Sequence, residues 1–381
     1  YNVGTQVPFI VYFPDKWKHL APVAAGGTMD EMVSFIDFPK TVLSLASIEP
    51  PEMMQGRIFL GKEKEPAPES VHFFRDRMNE RYDFSRAITD GRYYFIRNYY
   101  HYRPRGRDIR YGFRVQANWR AWEDHYETGK CNEIQSQFFT EKPVIELFDN
   151  KKDPWHVKNL AFDPEYKEIV KRMENDLDNW MIKIRDVALI PEPMYYELVG
   201  RGKEFGSIYE YCLGNDRFPV EKILETAEQC MWGNIEKQKL FMSYMKDENP
   251  FIRYWGAYAL FLCGEENRKA VKALKYMIRN DNISANRVMA AQALALCGDK
   301  NAAFNALYKE AMDTSLPYVF LQALAGFQYG KVDERLSLKD WNKFRAKEFN
   351  EEDVMDRTSV SFAHALIDDA IQIYPETRKV Y

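Results

Sequence analysis

The chain has 381 residues, of which 46% are hydrophobic and 29% are charged, values typical of globular proteins and not of disordered or membrane proteins. A formal net charge of −4 argues against a protein that binds polyanions over its whole surface, so any basic site must be local. No run approaches the roughly 18 uncharged apolar residues of a membrane-spanning helix.

The first segment is apolar and rich in aromatic and β-branched residues. Val7–Phe13 reads "VPFIVYF" and predicts a strand buried on both faces. Such a strand usually lies inside a sheet whose other strands come from elsewhere in the polypeptide. The run "EMVSFIDFPKTVLSLASI" follows with apolar residues at helical spacing and predicts a helix broken at Pro39. Residues 1–69 are therefore expected to be the end of an α/β domain whose N-terminal half is absent.

Between residues 70 and 190 the pattern changes to short strands and one helix. Asp90-Gly91 separates two apolar-aromatic runs and predicts a hairpin, and "PVIELFD" predicts a further strand. The segment after Asp163 and Pro164, an N-cap and a first helical residue, carries apolar residues at helical spacing. We expect a small antiparallel sheet with this helix on one face. Residues 191–217 are rich in Pro and Gly and predict a linker.

Residues 218–381 are helical in pattern and contain an internal repeat. The segments "IRYWGAYALFLCGEENRKAVKALKYMI" and "NRVMAAQALALCGDKNAAFNALYKEAM" align with Gly264 on Gly298, 34 residues apart, and a looser third copy ends at Gly330. Small residues at the helix crossings and Gly at the end of each first helix predict a short HEAT-like α-solenoid. The expected fold class is therefore α/β plus all-α.

The most unusual segment is "RYYFIRNYYHYRPRGRDIRYGFRVQANWR", residues 92–120. It holds eight Arg, no Lys and a single acid, Asp108. A planar guanidinium binds sulfate, phosphate or carboxylate oxygens in pairs, which Lys cannot do, and the interleaved aromatic residues add stacking. Read alone, the segment indicates anion recognition. The alternative is that these Arg form a solvated face or pair with the acids of residues 123–146.

A second basic cluster, "HFFRDRMNERYD", holds His72, Arg75 and Arg77 beside Asp76. A charged loop with internal ion pairs is the alternative interpretation there. Neither cluster contains a nucleophile with an adjacent base.

Searches for other chemistry are negative. The five cysteines contain no CxxC pair, and the six histidines lack the spacing of metal ligands, so the chain predicts neither a disulfide framework nor a metal site. The sequence also lacks a Gly-rich phosphate loop, an HExxH motif, a G-x-S-x-G elbow and a calcium loop.

Four stretches of the first half are specific in combination. They are "YNVGTQVPFIVYFP", "VSFIDFPKTVLSLASIEPPEMMQGRIF", "RAITDGRYYFIRNYYHYRP" and "PVIELFDNKKDPWHVKNLAFDPEY". In this order they resemble the C-terminal part of type I sulfatases, the formylglycine-dependent family on the alkaline-phosphatase-like fold. The resemblance extends from residue 1 to about residue 190. Three positions depart from the family pattern: Thr41 follows Lys40 instead of Pro, Ser47 replaces a frequent Gly, and His156 replaces an acid.

The resemblance implies a formylglycine made from Cys or Ser in C/S-x-P-x-R, and calcium held by acids near both ends of the catalytic domain. No Cys of this chain is followed by x-P-x-R. We therefore expect the nucleophile and most calcium ligands to belong to a catalytic half upstream of Tyr1. Both formylglycine and calcium are expected in the complete protein, and residues of this chain are expected to hold neither. The chain alone is therefore expected to be inactive.

The resemblance also assigns roles to the basic clusters, because the C-terminal part of such sulfatases lines the substrate pocket. His72, Arg75, Arg77, His101 and Arg103 are the residues we expect on the substrate side. The partner is expected to be a sulfated glycan or another sulfate ester. The helical repeats are expected to support oligomer formation, and the protein is expected to be periplasmic or secreted. A non-catalytic glycan- or protein-binding module is the alternative. A nucleic-acid binder is disfavoured by the acidic net charge.

Overall fold

The computed structural model describes residues 1–78, 80–106, 110–199, 203–264, 267–349 and 357–370. Its strands are β1 (Val71–Met78), β2 (Arg81–Thr89), β3 (Tyr93–Asn98) and β4 (Ile145–Asp149). Its α-helices are α1 (Asn2–Thr5), α2 (Asp37–Leu45), α3 (Arg110–Val115), α4 (Ala117–Glu127), α5 (Glu133–Ser136), α6 (Lys167–Ile184), α7 (Glu192–Leu198), α8 (Ile208–Cys212), α9 (Val220–Cys230), α10 (Gln238–Tyr244), α11 (Pro250–Cys263), α12 (Val271–Asn280), α13 (Ser284–Cys297), α14 (Lys300–Asp313), α15 (Pro317–Tyr329), α16 (Leu338–Arg345) and α17 (Arg357–Ala370).

The chain divides into two compact units. The first comprises Tyr1–Phe74, Arg86–Arg97 and Ile145–Leu177; the second comprises Arg75–Ser85, Asn98–Val144 and Asp178–Tyr381. The second unit thus combines parts of the predicted sheet subdomain with the helices beyond residue 218. The boundaries predicted at residues 69, 190 and 217 stay predictions.

The strands pair in chain order, β1-β2-β3-β4, and β3 runs antiparallel to β4 with Tyr94 opposite Phe148. The turn between β2 and β3 is held by Asp90, whose carboxylate accepts hydrogen bonds from the backbone N–H groups of the two residues after Gly91, at 3.0 and 2.7 Å. Gly91 has a φ of 88°, which favours glycine at this position. The predicted small antiparallel sheet and its Asp90-Gly91 hairpin are confirmed.

The helix predicted after Asp163 is α6, preceded by one 3-10 turn. Asp163 caps that turn by accepting a hydrogen bond from the N–H of Glu165 at 3.0 Å, and Pro164 occupies the first position of the turn. Within the first unit, Arg172 of α6 pairs with Asp90 at 2.6 Å, which places the helix beside the β2–β3 hairpin. The helix buries one face, formed by Val170, Met173 and Leu177.

Two predictions for the N-terminal segment are wrong. Val7–Phe13 forms no strand, and Ile10 is 91% exposed. A strand needs neighbours that accept its backbone hydrogen bonds, and in the described part of the chain β1 to β4 pair with one another instead. Pro39 does not break a helix either, because α2 begins at Asp37 and places Pro39 in its first turn, where no N–H is needed.

Beyond residue 218 the predicted helices are confirmed, and their packing follows the repeat. Helices α11 and α13 end at Gly264 and Gly298, 34 residues apart, and α11 packs on α13, which also packs on α12, α14 and α15. The same spacing separates two Arg that each form an ion pair: Arg253 binds Asp281 at 2.7 Å and Arg287 binds Glu310 at 2.5 Å. Each Arg lies in the first helix of a repeat. The HEAT-like character of this array stays a prediction.

The predicted linker contains two short helices, α7 and α8. Met194 of α7 is buried, and the carboxylate of Glu197 accepts hydrogen bonds from the N–H groups of Ser284 and Ala285, at 2.8 and 3.4 Å, where α13 begins. A carboxylate at a helix N-terminus is stabilised by the helix dipole. The α7 part of residues 191–217 is therefore packed onto the helices, although its Pro content indicated a loop.

Candidate functional site: a buried cation cluster around Asp83

The second unit contains a carboxylate on which three cations converge. Asp83 lies on β2, with 1% of its side chain exposed. The ammonium of Lys142 lies 2.5 Å from Oδ1, Nη2 of Arg81 lies 3.1 Å from Oδ2, and Nε of Arg75 lies 3.7 Å from Oδ2. Lys142 and Arg81 are each only 2% exposed, so both ion pairs are shielded from water.

The cluster also fixes the two ends of the segment that connects β3 to β4. The guanidinium of Arg81 donates hydrogen bonds to the carbonyl groups of Arg103 and Arg105, before α3. The backbone N–H of Lys142, after α5, donates to the carbonyl of His101 at 2.8 Å. The polar network therefore holds both ends of this segment against β2, whatever other role it has.

Burial and the neighbouring charges shift the pKa values of the cluster. Burial lowers the pKa of Lys142 to about 8, and repulsion by Arg81 and Arg105 adds to burial while Asp83 opposes both. Burial raises the pKa of Asp83, but the attraction of Lys142, Arg81 and Arg75 outweighs it and holds that pKa below its ordinary value. Shifts of this kind are frequent at functional sites, although structural ion-pair networks produce them too. Built from cations and one carboxylate, the cluster has the charge to bind an anion.

Arg77 is engaged by protein groups. Its Nε lies 2.8 and 2.7 Å from the two carboxylate oxygens of Glu192, and Nη2 forms a further bond to the same carboxylate. The guanidinium also lies over the rings of Tyr82, Tyr318 and Phe362, within 5.7 Å of each centroid. Burial raises the pKa of Glu192, and the positive charge of Arg77 offsets only part of this increase.

His101 and Arg103 have similar surroundings. Nε2 of His101 lies 3.0 Å from the carbonyl oxygen of Met231, and burial lowers the pKa of the imidazole. Arg103 donates from Nε to the hydroxyl of Tyr102 at 2.8 Å and from Nη1 to the carbonyl of Tyr82 at 2.7 Å. Its guanidinium lies 5.0 Å from the ring centroid of Tyr329. The substrate role predicted for His101, Arg77 and Arg103 stays a prediction, and any such role would use groups that already bind protein atoms.

The remaining Arg of residues 92–120 have varied surroundings. Arg92 pairs with Asp149 at 3.3 Å, outside the predicted acids of residues 123–146, and Arg97 is buried. Arg107 and Asp108 lie outside the described residues.

His72 belongs to the first unit, where it is half-buried on β1. Burial lowers its pKa to about 4, against an opposing attraction from Asp176. The folded protein therefore resists protonation that the unfolded chain accepts near pH 6.5. Above pH 6.5, His72 is neutral in both states and does not lower the free energy of unfolding. As the pH falls toward 4, the unfolded chain gains a proton that the folded protein refuses, so the free energy of unfolding falls.

We expect the urea midpoint of the wild type to fall between pH 7 and pH 5 by more than that of His72→Gln, which cannot titrate. Comparing the two proteins at both pH values removes the contribution of other groups. Equal shifts in wild type and variant would contradict the lowered pKa.

Several features are absent from the described residues. They hold no group of three or more His, Cys, Asp or Glu side chains that could bind a metal ion, and their cysteines form no disulfide. None of the described helices is long and apolar enough to cross a membrane.

The first part of the chain is similar to known sulfatases. Residues 1–106 match the family model described as N-sulphoglucosamine sulphohydrolase, C-terminal. An ulvan-active sulfatase of Formosa agariphila is 37% identical over 193 residues, covering 50% of this chain and 31% of that protein. A second ulvan-active sulfatase of the same organism is 29% identical over 191 residues, covering 47% of this chain and 34% of that protein. The aligned part of the chain thus spans about a third of the length of these curated relatives, and the first half of the chain is similar to the C-terminal part of sulfatases.

Proposed function

We propose that this chain is the C-terminal portion of a sulfatase, a sulfuric ester hydrolase, that acts on a sulfated glycan. The observation that carries the proposal is the match of residues 1–106 to the C-terminal sulfohydrolase model, together with the 37% identity to an ulvan-active sulfatase. Because two matched relatives are named for activity on ulvan, ulvan is the first substrate to test.

The chemistry of sulfate ester cleavage is assigned to residues outside this chain. Neither a Cys nor a Ser of the chain begins a C/S-x-P-x-R sequence, so no formylglycine can form here. Formylglycine supplies the nucleophile in such enzymes and calcium supplies a cation beside it, and both belong to the complete protein in this proposal. The residues of this chain contribute binding: the Asp83 cluster offers positive charge in a basic region of an otherwise acidic chain.

The test is sulfate release measured by ion chromatography. The full-length polypeptide that contains this chain is incubated with ulvan oligosaccharides and with a synthetic aryl sulfate, and residues 1–381 alone are incubated in parallel. We expect sulfate from the full-length polypeptide and none from residues 1–381. Turnover by residues 1–381 would show that the catalytic groups are assigned wrongly, and no release from the full-length protein on either substrate would overturn the function.

The second candidate function is a non-catalytic module that binds glycans or proteins. It is supported by the Asp83 cluster, which places three cations around one carboxylate. Peptide mapping upstream of Tyr1 separates the two candidates: a C/S-x-P-x-R peptide, with or without the mass change of formylglycine, supports the enzyme. Its absence from the polypeptide leaves the binding module.

We further propose that helices α9 to α17 form a HEAT-like array that supports oligomer formation, and that the complete protein is periplasmic or secreted. The 34-residue spacing of Gly264 and Gly298, repeated by Arg253 and Arg287, supports the array. Light scattering after size exclusion tests the oligomer, and a monomeric mass at all concentrations would exclude it.

A further inference from the structure

Arg75 differs from the other cations of the Asp83 cluster. Its side chain is 38% exposed, whereas the side chains of Lys142 and Arg81 are each 2% exposed. Its Nε is buried, and in the described part of the chain no oxygen accepts a hydrogen bond from it. The guanidinium is thus partly open to solvent with one donor unsatisfied, a combination that costs stability unless something binds there.

Asp83 does not satisfy Arg75, since closer groups already occupy both of its oxygens. Oδ1 accepts hydrogen bonds from Lys142 at 2.5 Å and from the N–H of Phe84 at 2.9 Å, and Oδ2 accepts one from Arg81 at 3.1 Å. The 3.7 Å from Nε of Arg75 to Oδ2 is too long for a hydrogen bond. Of the three cations described around Asp83, Arg75 is therefore the one that its carboxylate holds least closely.

A further cation strengthens the local field. Arg105 lies close enough to Lys142 to repel it. Since Arg81 and Lys142 are enclosed, an anion arriving from solvent meets Arg75 first and is attracted by the charges behind it. A guanidinium binds two oxygens of one anion side by side, which matches sulfate and carboxylate groups.

We infer that the guanidinium of Arg75 binds an anionic group, sulfate or carboxylate, of an acidic polysaccharide, while Lys142 and Arg81 hold Asp83 in place. The inference rests on the proposed function for its choice of a polysaccharide. It goes beyond that function in singling out Arg75 among the five residues expected on the substrate side and in assigning Lys142 and Arg81 a supporting role.

The experiment measures binding of residues 1–381 to three polymers by calorimetry: dextran sulfate for sulfate groups, polygalacturonate for carboxylates and neutral dextran. We expect binding to one or both acidic polymers and none to dextran. Dextran sulfate alone would assign sulfate to the site, and polygalacturonate alone would assign carboxylate. Binding to neither acidic polymer, or equal binding of a single-stranded oligonucleotide, would overturn the inference.

Two variants of Arg75 give the residue-level test. Arg75→Gln is expected to bind about tenfold more weakly, the loss of one charge-assisted contact, and Arg75→Lys to lie between Gln and wild type because it keeps charge but not the paired geometry. The matched control is Arg279→Gln, the same change on the exposed side of α12. Equal affinities of Arg75→Gln and Arg279→Gln would overturn the inference.

Both variants are expected to fold, because Asp83 retains its two closer cations. Melting curves check that each variant folds. If Arg75→Gln does not fold, the affinity of Arg75→Lys is compared with that of the wild type instead. Sulfate release by the full-length protein keeps the two proposals separate: release without an Arg75 effect on binding overturns only this inference. Arg75-dependent binding without release overturns only the enzymatic function.

Discussion

Asp83→Asn is expected to destabilise the second unit strongly, by about 3–5 kcal/mol, the usual cost of removing one partner from a buried ion pair. The substitution preserves the shape of the side chain and removes the carboxylate charge that Lys142 and Arg81 bind at hydrogen-bond distance, while both cations are 2% exposed. Urea unfolding of wild type and variant at pH 7 measures the difference. A small loss would mean that these cations are compensated elsewhere.

The pH dependence of this loss identifies its cause. In the variant, the folded pKa of Lys142 falls further, so its ammonium gives up a proton that the wild type keeps up to about pH 8. The deficit should therefore narrow as the pH rises toward 8 and stay constant above it, and part of it should remain because Arg81 stays charged. Asp313→Asn is the matched control, since Asp313 pairs with Lys309 on the exposed surface of α14. A much smaller loss is expected there, because water screens an exposed ion pair.

The sequence predicts those elements whose signals are local. Asp90-Gly91 sets a turn within its own hairpin, and Asp163 caps a turn two residues away, so both are readable without knowing the fold. The strand prediction for Val7–Phe13 is wrong because its signal is not local. Its apolar character indicates burial, but what covers it depends on groups that a linear pattern does not name, and Ile10 is 91% exposed in this chain.

The Asp83 cluster illustrates the same limit at the candidate site. Sequence reasoning named Arg75 because it lies in a basic stretch, and it did not name Lys142, which is 59 residues from Asp83. One signal was available: Arg81 and Asp83 alternate along β2, which places opposite charges on one face of a strand. Composition likewise indicated that Arg and aromatic residues occur together, but not that Arg103 lies over Tyr rings of its own chain.

Trp255→Ala is expected to lower stability by about 3–5 kcal/mol, as for other large aromatic residues removed from a core. Trp255 of α11 is fully buried, its indole N–H donates to the carbonyl of Leu189 at 3.1 Å, and its ring lies 5.4 Å from that of Tyr258. The substitution leaves a cavity and an unpaired carbonyl. Chemical denaturation followed by circular dichroism measures the loss, and Trp232→Ala, a residue that is 46% exposed, is the control.

The same variant tests whether the helices fold independently of the segments before them. Trp255 contacts Phe84 of β2 and stacks on Tyr100, and both residues belong to the second unit. If that unit folds cooperatively, hydrogen exchange in Trp255→Ala should accelerate in peptides around Phe84 and Tyr100 as much as in α11 and α13. Acceleration confined to the helices would instead support an independent domain beyond residue 218, because the loss would then not reach β2.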